Sequence, residues 1–151
     1  MPTQPATEIY LNLPVTDLER AQTFYRALGF EIDPQFTDEN ASMVRISDTI
    51  YLMLLVKPFF RQFTDAETAD TAATVGGIYC ISAPDRAAVD ELQRKALAAG
   101  AGPSKADLED GPMYSKSFRD LDGHHWEVLA AESAAPAGST GSTESTGSSA
   151  A

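Results

Sequence analysis

The residues of this chain best suited to chemistry lie close together in the segment Asp122-Gly123-His124-His125-Trp126-Glu127. If this segment is a strand, Glu127 and His125 share one face, because side chains alternate between the two faces of a sheet. A carboxylate and an imidazole on one face could hold a metal, move a proton or anchor the polar group of a small ligand. His124 and Trp126 would then face the other side, where we expect Trp126 to be part of the core.

An earlier segment has the same sequence pattern but lacks the histidine and glutamate side chains. Asp48 stands before Thr49-Ile50-Tyr51-Leu52-Met53 as Asp122 stands before the segment that ends at Glu127. Met53 is therefore the counterpart of Glu127, and it has a thioether where the second segment has a carboxylate. The repetition predicts a pseudo-twofold fold built from two related halves.

Two arginines also occupy matching places, Arg45 in the first half and Arg119 in the second. One interpretation is that both anchor an anionic group of a substrate. The alternative, which we favour, is that they form salt bridges with the nearby Asp48 and Asp120. The sequence alone leaves both interpretations open.

The elements that position these residues follow the same order in residues 8–56 and 76–131, namely a strand, a helix that ends at a glycine, and three further strands. The first strand covers Ile9 to Val15. The first helix has a capping box formed by Thr16 and Glu19, and it ends at Gly29. These signals predict a βαβββ order for the first half.

The second half repeats the signals. Its first strand is the run from Ile78 to Ser82, and its helix follows Asp85 and also ends at a glycine. Tyr10 in the first strand therefore corresponds to a position near Gly77 or Ile78. The remaining predicted strands cover residues 30–36, 42–47, 50–56, 103–106, 113–119 and 124–130.

The length of 151 residues suits one domain, which we place at residues 1–133. Residues 57–75 join the halves, and we interpret them as a mobile linker or lid, because three phenylalanines are followed by an acidic stretch without a clear period. Residues 134–151 are mostly Ala, Gly, Ser, Thr and Pro. We expect this tail to be disordered, because it has too little apolar surface to offset its chain entropy.

The composition argues against some classes of partner. A formal net charge of -11, with only 11 scattered Lys and Arg residues, disfavours nucleic acid and anionic membranes. The sequence contains neither a signal peptide pattern nor a run of about 18 apolar residues, so we expect a cytoplasmic protein. Cys80 is the single cysteine and lies in an apolar run. We therefore expect a buried, inert thiol.

Three segments together resemble the vicinal oxygen chelate superfamily, which includes glyoxalase I, extradiol dioxygenases and bleomycin resistance proteins. They are residues 13–30, with Leu13-Pro14-Val15-Thr16-Asp17-Leu18-Glu19 leading into Phe24-Tyr25-Arg26-Ala27-Leu28-Gly29-Phe30, then residues 85–100, and finally residues 120–127. The resemblance implies an α+β fold in which two βαβββ modules form a curved mixed sheet around a cavity. It also implies a homodimer, since relatives often build their pockets from two chains.

In metal-using members of that superfamily, ligands lie on the first and last strands of each module, which here gives Tyr10, Met53, roughly Gly77, and Glu127. A catalytic metal generally needs about three suitable O, N or S ligands, and a thioether and a glycine supply none. Because three of the four positions depart from the pattern, we expect no metal cofactor. The arrangement that would contradict this expectation is a cluster of His125, Glu127 and one of Asn12 or Tyr10.

We therefore predict a small-molecule-binding protein in which Glu127 is a polar anchor or general base. The residues predicted to line its site are Tyr10, Asn12, Arg45, Tyr51, Met53, Tyr114, His125 and Glu127. The expected partners are a small organic ligand, cationic or aromatic, and a second copy of the chain. Two alternatives stay open. One is an enzyme, either a metal-dependent lyase or dioxygenase with an atypical ligand set or a metal-independent isomerase; the other is a noncatalytic interaction module.

Overall fold

A computed structural model describes residues 3–105, 107 and 112–131 of the chain. The elements of the first half are β1 (Ile9–Val15), α1 (Leu18–Ala27), β2 (Glu31–Asp33), β3 (Ala41–Arg45), β4 (Ile50–Val56) and α2 (Lys57–Phe60). Those of the second half are β5 (Ile78–Ser82), α3 (Arg86–Ala98), β6 (Met113–Arg119) and β7 (His125–Ala131). The expected α+β class with two related modules is confirmed.

Each half forms its own mixed sheet, with strand order β1-β4-β3-β2 in the first and β5-β7-β6 in the second. The first and last strands of each module are parallel neighbours, and the other neighbours are antiparallel. In the described part of the second module, the place of β2 is taken by a single bridge between Gly102 and Arg119. The strand predicted at residues 103–106 is not formed in its described residues, and residue 106 lies outside them.

The pairing register decides which positions of the two modules are equivalent. Arg45 lies opposite Tyr51, as Arg119 lies opposite His125, which confirms that the two arginines match. Tyr10 is the parallel neighbour of Tyr51, and the corresponding neighbour of His125 is Ile78. The counterpart of Tyr10 is therefore Ile78 rather than Gly77.

The start of α1 differs from the prediction by one residue. Asp17, and not Thr16, is the N-cap, and its carboxylate accepts a hydrogen bond from the Arg20 amide at 3.1 Å. The capping box predicted at Thr16 is wrong, because the residue is engaged elsewhere. Its backbone amide donates to the Asp122 carboxylate at 2.9 Å and so ties the beginning of α1 to the second module.

The two modules share one hydrophobic core, and α1 contacts both sheets. Phe24 of α1 packs against Phe118 of β6, and Tyr25 packs against Trp126 of β7, each pair with ring centroids 6.2 Å apart. All four side chains are buried, as expected for Trp126. Because each sheet turns one face toward this shared core, its other face points away from the core.

Cys80 lies on one of these outer faces and is exposed, so the expectation of a buried thiol is wrong. Its neighbours Tyr79 and Ile81 pack against the core. The alternation of side chains along β5 then directs Cys80 to the opposite face. The apolar run around it suggested a strand with both faces buried, whereas only one face is covered.

Smaller differences concern the connections. The strand expected over residues 30–36 is limited to β2, because Pro34 begins a 3-10 helix (Pro34–Phe36). Residues 57–63 of the expected linker are helical, as α2 and a 3-10 helix (Arg61–Phe63). Mobility of the linker stays a prediction, and the predicted tail lies outside the described residues. Within the described ranges, no helix has the length and apolar character needed to cross a membrane.

Candidate functional site

Most of the predicted site residues lie on the two sheet faces that point away from the core. We name them open faces. The first open face, on β1, β3 and β4, contains Tyr10, Asn12, Arg45, Tyr51 and Met53. The second open face, on β5, β6 and β7, contains Ile78, Cys80, Ser117, Arg119, His125 and Glu127. In the described structure no hydrogen bond or ion pair joins Glu127 to Tyr10 or Met53.

The first open face has an aromatic surface. The rings of Tyr10 and Tyr51 stack with centroids 4.9 Å apart and planes inclined by 11°. Tyr10 is 47% exposed, whereas Tyr51 is buried beneath it and donates its hydroxyl to the Asp48 carbonyl. The Tyr10 hydroxyl donates to Glu8, and this hydrogen bond raises the pKa of the phenol. The pair therefore offers a flat, accessible ring to a ligand or to another chain.

Arg45 borders this aromatic surface but is already partnered. Its guanidinium lies 3.7 Å from the Asp48 carboxylate and 5.4 Å from the centroid of the Tyr51 ring. The interpretation of Arg45 as half of a local salt bridge therefore holds. An exposed pair of this kind contributes little to stability, but it leaves less positive charge for an anionic ligand.

The second open face holds the polar chemistry. Glu127 lies between Cys80 and Ser117 in the register, and no hydrogen bond to its carboxylate is formed within the described residues. Nδ1 of His125 lies 3.2 Å from the Ser104 hydroxyl oxygen. Burial, and then the positive charge of Arg119, lower the pKa of His125, while Glu127 opposes them. Glu127 is thus a partly exposed carboxylate that is available to a ligand.

Tyr114 does not join either open face, which corrects its inclusion among the site residues. Its ring lies under the Arg86 guanidinium at 4.7 Å, and its hydroxyl donates to Asp90 of α3 at 2.5 Å. Lys116 reaches the same carboxylate at 3.2 Å. Alternation along β6 directs Tyr114 toward the helix side of the sheet, where it anchors α3.

The residues at the four metal positions do not fit a metal ion. With the corrected register these positions are Tyr10, Met53, Ile78 and Glu127, and only the last carries a carboxylate. The Tyr10 hydroxyl is bonded to Glu8, a thioether is a poor ligand for hard cations, and Ile78 has no donor atom. The described residues contain no group of three His, Cys, Asp or Glu side chains that could hold a metal.

Asn12 and His125, which belong to different open faces, both line a cavity of about 200 Å³. The other lining residues come from β1, the linker, the start of β5 and the turn before β7; they are Leu13, Pro14, Phe60, Thr68, Ala69, Thr71, Thr74, Val75, Gly76, Gly77, Tyr79, Gly123 and His124. The Thr68 hydroxyl is buried and has no hydrogen-bond partner in the described part of the chain. The cavity is smaller than the roughly 300 Å³ of typical organic ligand sites. Sequence reasoning missed its linker residues, because their Thr- and Ala-rich composition carries no periodic signal.

Comparisons with known proteins give one family match and several solved structures of similar fold. Residues 8–47 match the family described as bleomycin resistance protein-like N-terminal. A hypothetical protein, SA1046 from S. aureus, is 27% identical with a TM-score of 0.69, covering 84% of this chain and 95% of its own. A lactoylglutathione lyase from Agrobacterium tumefaciens is 25% identical with a TM-score of 0.62, covering 84% and 95%.

A bleomycin resistance determinant encoded on the transposon Tn5 is 21% identical with a TM-score of 0.59, and the aligned region covers 83% of this chain and 98% of that protein. At this level of identity the likeness concerns the fold. A comparison with curated protein sequences finds no match. The matched structures are thus similar over nearly their whole length, at low overall sequence identity.

Proposed function

Since this chain has the glyoxalase and bleomycin resistance fold of the vicinal oxygen chelate superfamily, we propose that it is a small-molecule-binding protein without a complete metal site. The observation that carries the proposal is the set of residues at the four metal positions, of which only Glu127 carries a carboxylate, while the Tyr10 hydroxyl donates to Glu8. The chain has two open sheet faces but not the side chains that a metal ion needs as ligands. Such a surface suits the binding of an organic molecule better than metal chemistry.

The ligand class follows from the chemistry of the two open faces. The stacked rings of Tyr10 and Tyr51 offer a π surface, and Glu127 offers a carboxylate without a cationic partner in the described structure. An aromatic organic cation satisfies both, because its charge is attracted to the carboxylate and to the ring faces. The net charge of -11 would attract such a ligand over distance.

A second copy of the chain completes the pocket in this proposal. Both open faces carry exposed apolar residues, with Tyr10 47%, Ile78 58% and Met113 40% exposed. Exposed apolar surface of this kind is typical of interaction sites. In a homodimer, the first open face of one copy would lie opposite the second open face of the other.

The test is equilibrium binding of a panel of aromatic ammonium compounds and their neutral carbon isosteres, measured by calorimetry. We expect saturable binding that prefers the cations, and a loss of about tenfold in affinity in Glu127→Gln, since one charge interaction is worth roughly 1–2 kcal/mol in a partly desolvated site. The matched control is Glu39→Gln, which changes an exposed carboxylate in the turn before β3.

Three results would contradict the proposal. Equal binding of cations and neutral isosteres would remove the role of Glu127, and a monomer in sedimentation equilibrium would remove the shared pocket. Near-stoichiometric Ni, Zn, Mn or Fe in protein purified without chelator would favour a metal-dependent lyase or dioxygenase instead.

A further inference from the structure

A second cleft of about 340 Å³ lies beside the second open face, where the end of β1 meets the turn before β7. We name it the junction cleft. It is lined by Thr16, Arg20, Lys57, Gly102 and Arg119 and by residues 70–72 and 120–123, which include three aspartates. Its cationic side chains come from three different elements, α1, α2 and β6. The three cationic side chains are therefore brought to one cleft by the folding of both modules, with Asp70, Asp120 and Asp122 in the same lining.

None of the three cations has a carboxylate partner within salt-bridge distance in the described structure. Nε of Arg119 is in addition buried and without a hydrogen-bond partner among the described residues. A buried donor that lacks an acceptor costs free energy, and an oxygen supplied by a ligand would remove that cost.

The acidic residues near the cleft are engaged elsewhere. Asp120 accepts hydrogen bonds from the Tyr25 hydroxyl and from the amides of Asp122 and His124. One carboxylate oxygen of Asp122 accepts from the Thr16 amide, and one of Asp70 accepts from a backbone amide of its own turn. None of these three carboxylates lies within salt-bridge distance of Arg20, Lys57 or Arg119 in the described structure.

The equivalent place in the first module indicates which features distinguish Arg119. Arg45 has Glu31 opposite it on β2 and pairs with Asp48. In the second module the residue opposite Arg119 is Gly102. The counterpart of Asp48 is Asp122, which bonds to the Thr16 amide instead. In the second module, a glycine thus replaces the acidic residue opposite the arginine. The aspartate three residues after the arginine bonds to a backbone amide instead of forming a salt bridge.

The wall of the cleft is also fixed in position. The Thr71 hydroxyl donates to the Asp122 carbonyl at 2.5 Å. A Cβ added to Gly123, whose φ is 90°, would lie 2.1 Å from the Thr71 carbonyl oxygen, so the linker approaches as closely as a glycine permits. A site whose walls are held in this way binds without first ordering its own loops.

We propose that the junction cleft is a binding site for a phosphate-type oxyanion, held by Arg20, Lys57 and Arg119. Two guanidinium groups and an ammonium match the charge and the several acceptor oxygens of a phosphate dianion. Free phosphate and a phosphomonoester share this chemistry. Arg119 also belongs to the second open face, but the site takes an anion and is measured with a different ligand, so its test is separate from that of organic cation binding.

The experiment is calorimetric titration of the full chain with inorganic phosphate and with phenyl phosphate, against sodium chloride of the same ionic strength. We expect saturable binding of phosphate but not of chloride, and at least a tenfold weaker affinity in Arg119→Gln. Lys57→Gln should weaken binding several-fold. Tighter binding of phenyl phosphate would identify a phosphomonoester as the ligand, and equal binding would identify free phosphate.

Arg45→Gln is the matched control, because it removes the equivalent arginine of the first module and should leave phosphate binding unchanged. Circular dichroism establishes that each variant is folded, and Lys57→Gln serves alone if Arg119→Gln does not fold. The proposal fails if no saturable heat appears up to about 10 mM phosphate. It also fails if Arg45→Gln weakens binding as much as the cleft variants do.

Discussion

The turn before β4 and the turn before β7 are equivalent in the two modules, but they have different surroundings. In the first, the Ile46 amide donates to the Ile50 carbonyl at 2.9 Å, and in the second the Asp120 amide donates to the His124 carbonyl at the same distance. The backbone of the turn is thus repeated. Two isoleucines of the first turn have become an aspartate and a histidine in the second.

The second turn joins the modules. The Asp120 carboxylate accepts from the Tyr25 hydroxyl at 2.5 Å, and that hydroxyl in turn accepts from the Trp126 indole at 3.1 Å. Nε2 of His124 lies 2.8 Å from the Pro14 carbonyl oxygen. Asp120 and His124 therefore stabilise the contact between the modules, while Asp48 in the first turn is fully exposed.

The largest difference between the turns should appear on truncating their acids. Asp120→Ala would leave the Tyr25 hydroxyl and two backbone amides buried without an acceptor, and we expect a loss of about 4 kcal/mol in the free energy of unfolding. Asp48→Ala removes an exposed carboxylate and should lie within experimental error. Urea denaturation followed by circular dichroism measures both.

Burial raises the pKa of Asp120, so its charged form already carries a cost in the folded state. Asp120→Asn keeps the shape and one acceptor without that charge, and it should therefore lose much less stability than Asp120→Ala. If both aspartate-to-alanine variants were equally stable, the second turn would not join the modules as described.

The glycines near the turns give the second comparison. Gly123→Ala combines a positive φ of 90° with a backbone clash against Thr71, and we expect a loss of about 3 kcal/mol. Gly29→Ala has a φ of 101° but only the flexible end of Lys95 nearby, so about 1 kcal/mol is expected. Thermal and urea unfolding of both variants measure the difference.

Gly76→Ala is the control for these two variants, because the added Cβ would meet nothing within 4 Å, and no loss is expected. A Gly123→Ala variant no less stable than Gly29→Ala would mean that the linker yields easily. The linker would then not form a fixed wall of the junction cleft.

The sequence predicted the elements well because their signals are local. The limits of β1, β4, β5 and β6 match the prediction, and the alternation along β7 placed Trp126 in the core. The prediction for Thr16 failed because its partner, Asp122, is 106 residues away. Tyr114 and Cys80 were misplaced because a strand pattern gives the alternation but not which face is covered.

The candidate site was harder to predict than the fold. Repetition identified Met53 and Glu127 as equivalent, and the pairing register agrees with it. How the two sheets meet around one core depends on the packing of α1 between the modules, through Phe24 and Tyr25, which no local pattern indicates. Arg119 lacks an acidic partner on the neighbouring segment because Gly102 lies opposite it, whereas Glu31 lies opposite Arg45. No periodic pattern in the sequence indicates this bridge.

The smallest expected effect is the influence of Arg119, compared with that of Arg45, on the pKa of His125. Burial and the charge of Arg119 lower the pKa of His125, while Glu127 acts in the opposite direction. As the pH falls below the ordinary histidine pKa of about 6.5, the unfolded chain therefore takes up a proton before the folded chain, and stability declines. Arg119→Gln should raise the pKa of His125 and weaken this decline.

The measurement is an NMR titration of the His125 ring protons. Arg45→Gln lies in the other module and should leave the titration unchanged, which separates a local effect from a change in net charge. Phosphate added to the wild type should move the pKa of His125 upward, since a bound anion offsets the charge of Arg119, and it should have no effect in Arg119→Gln. An identical rise of the His125 pKa in Arg119→Gln and Arg45→Gln would mean that the charge of Arg119 has no specific effect on His125. The two arginines would then differ in their salt-bridge partners but not in their electrostatic effect on His125.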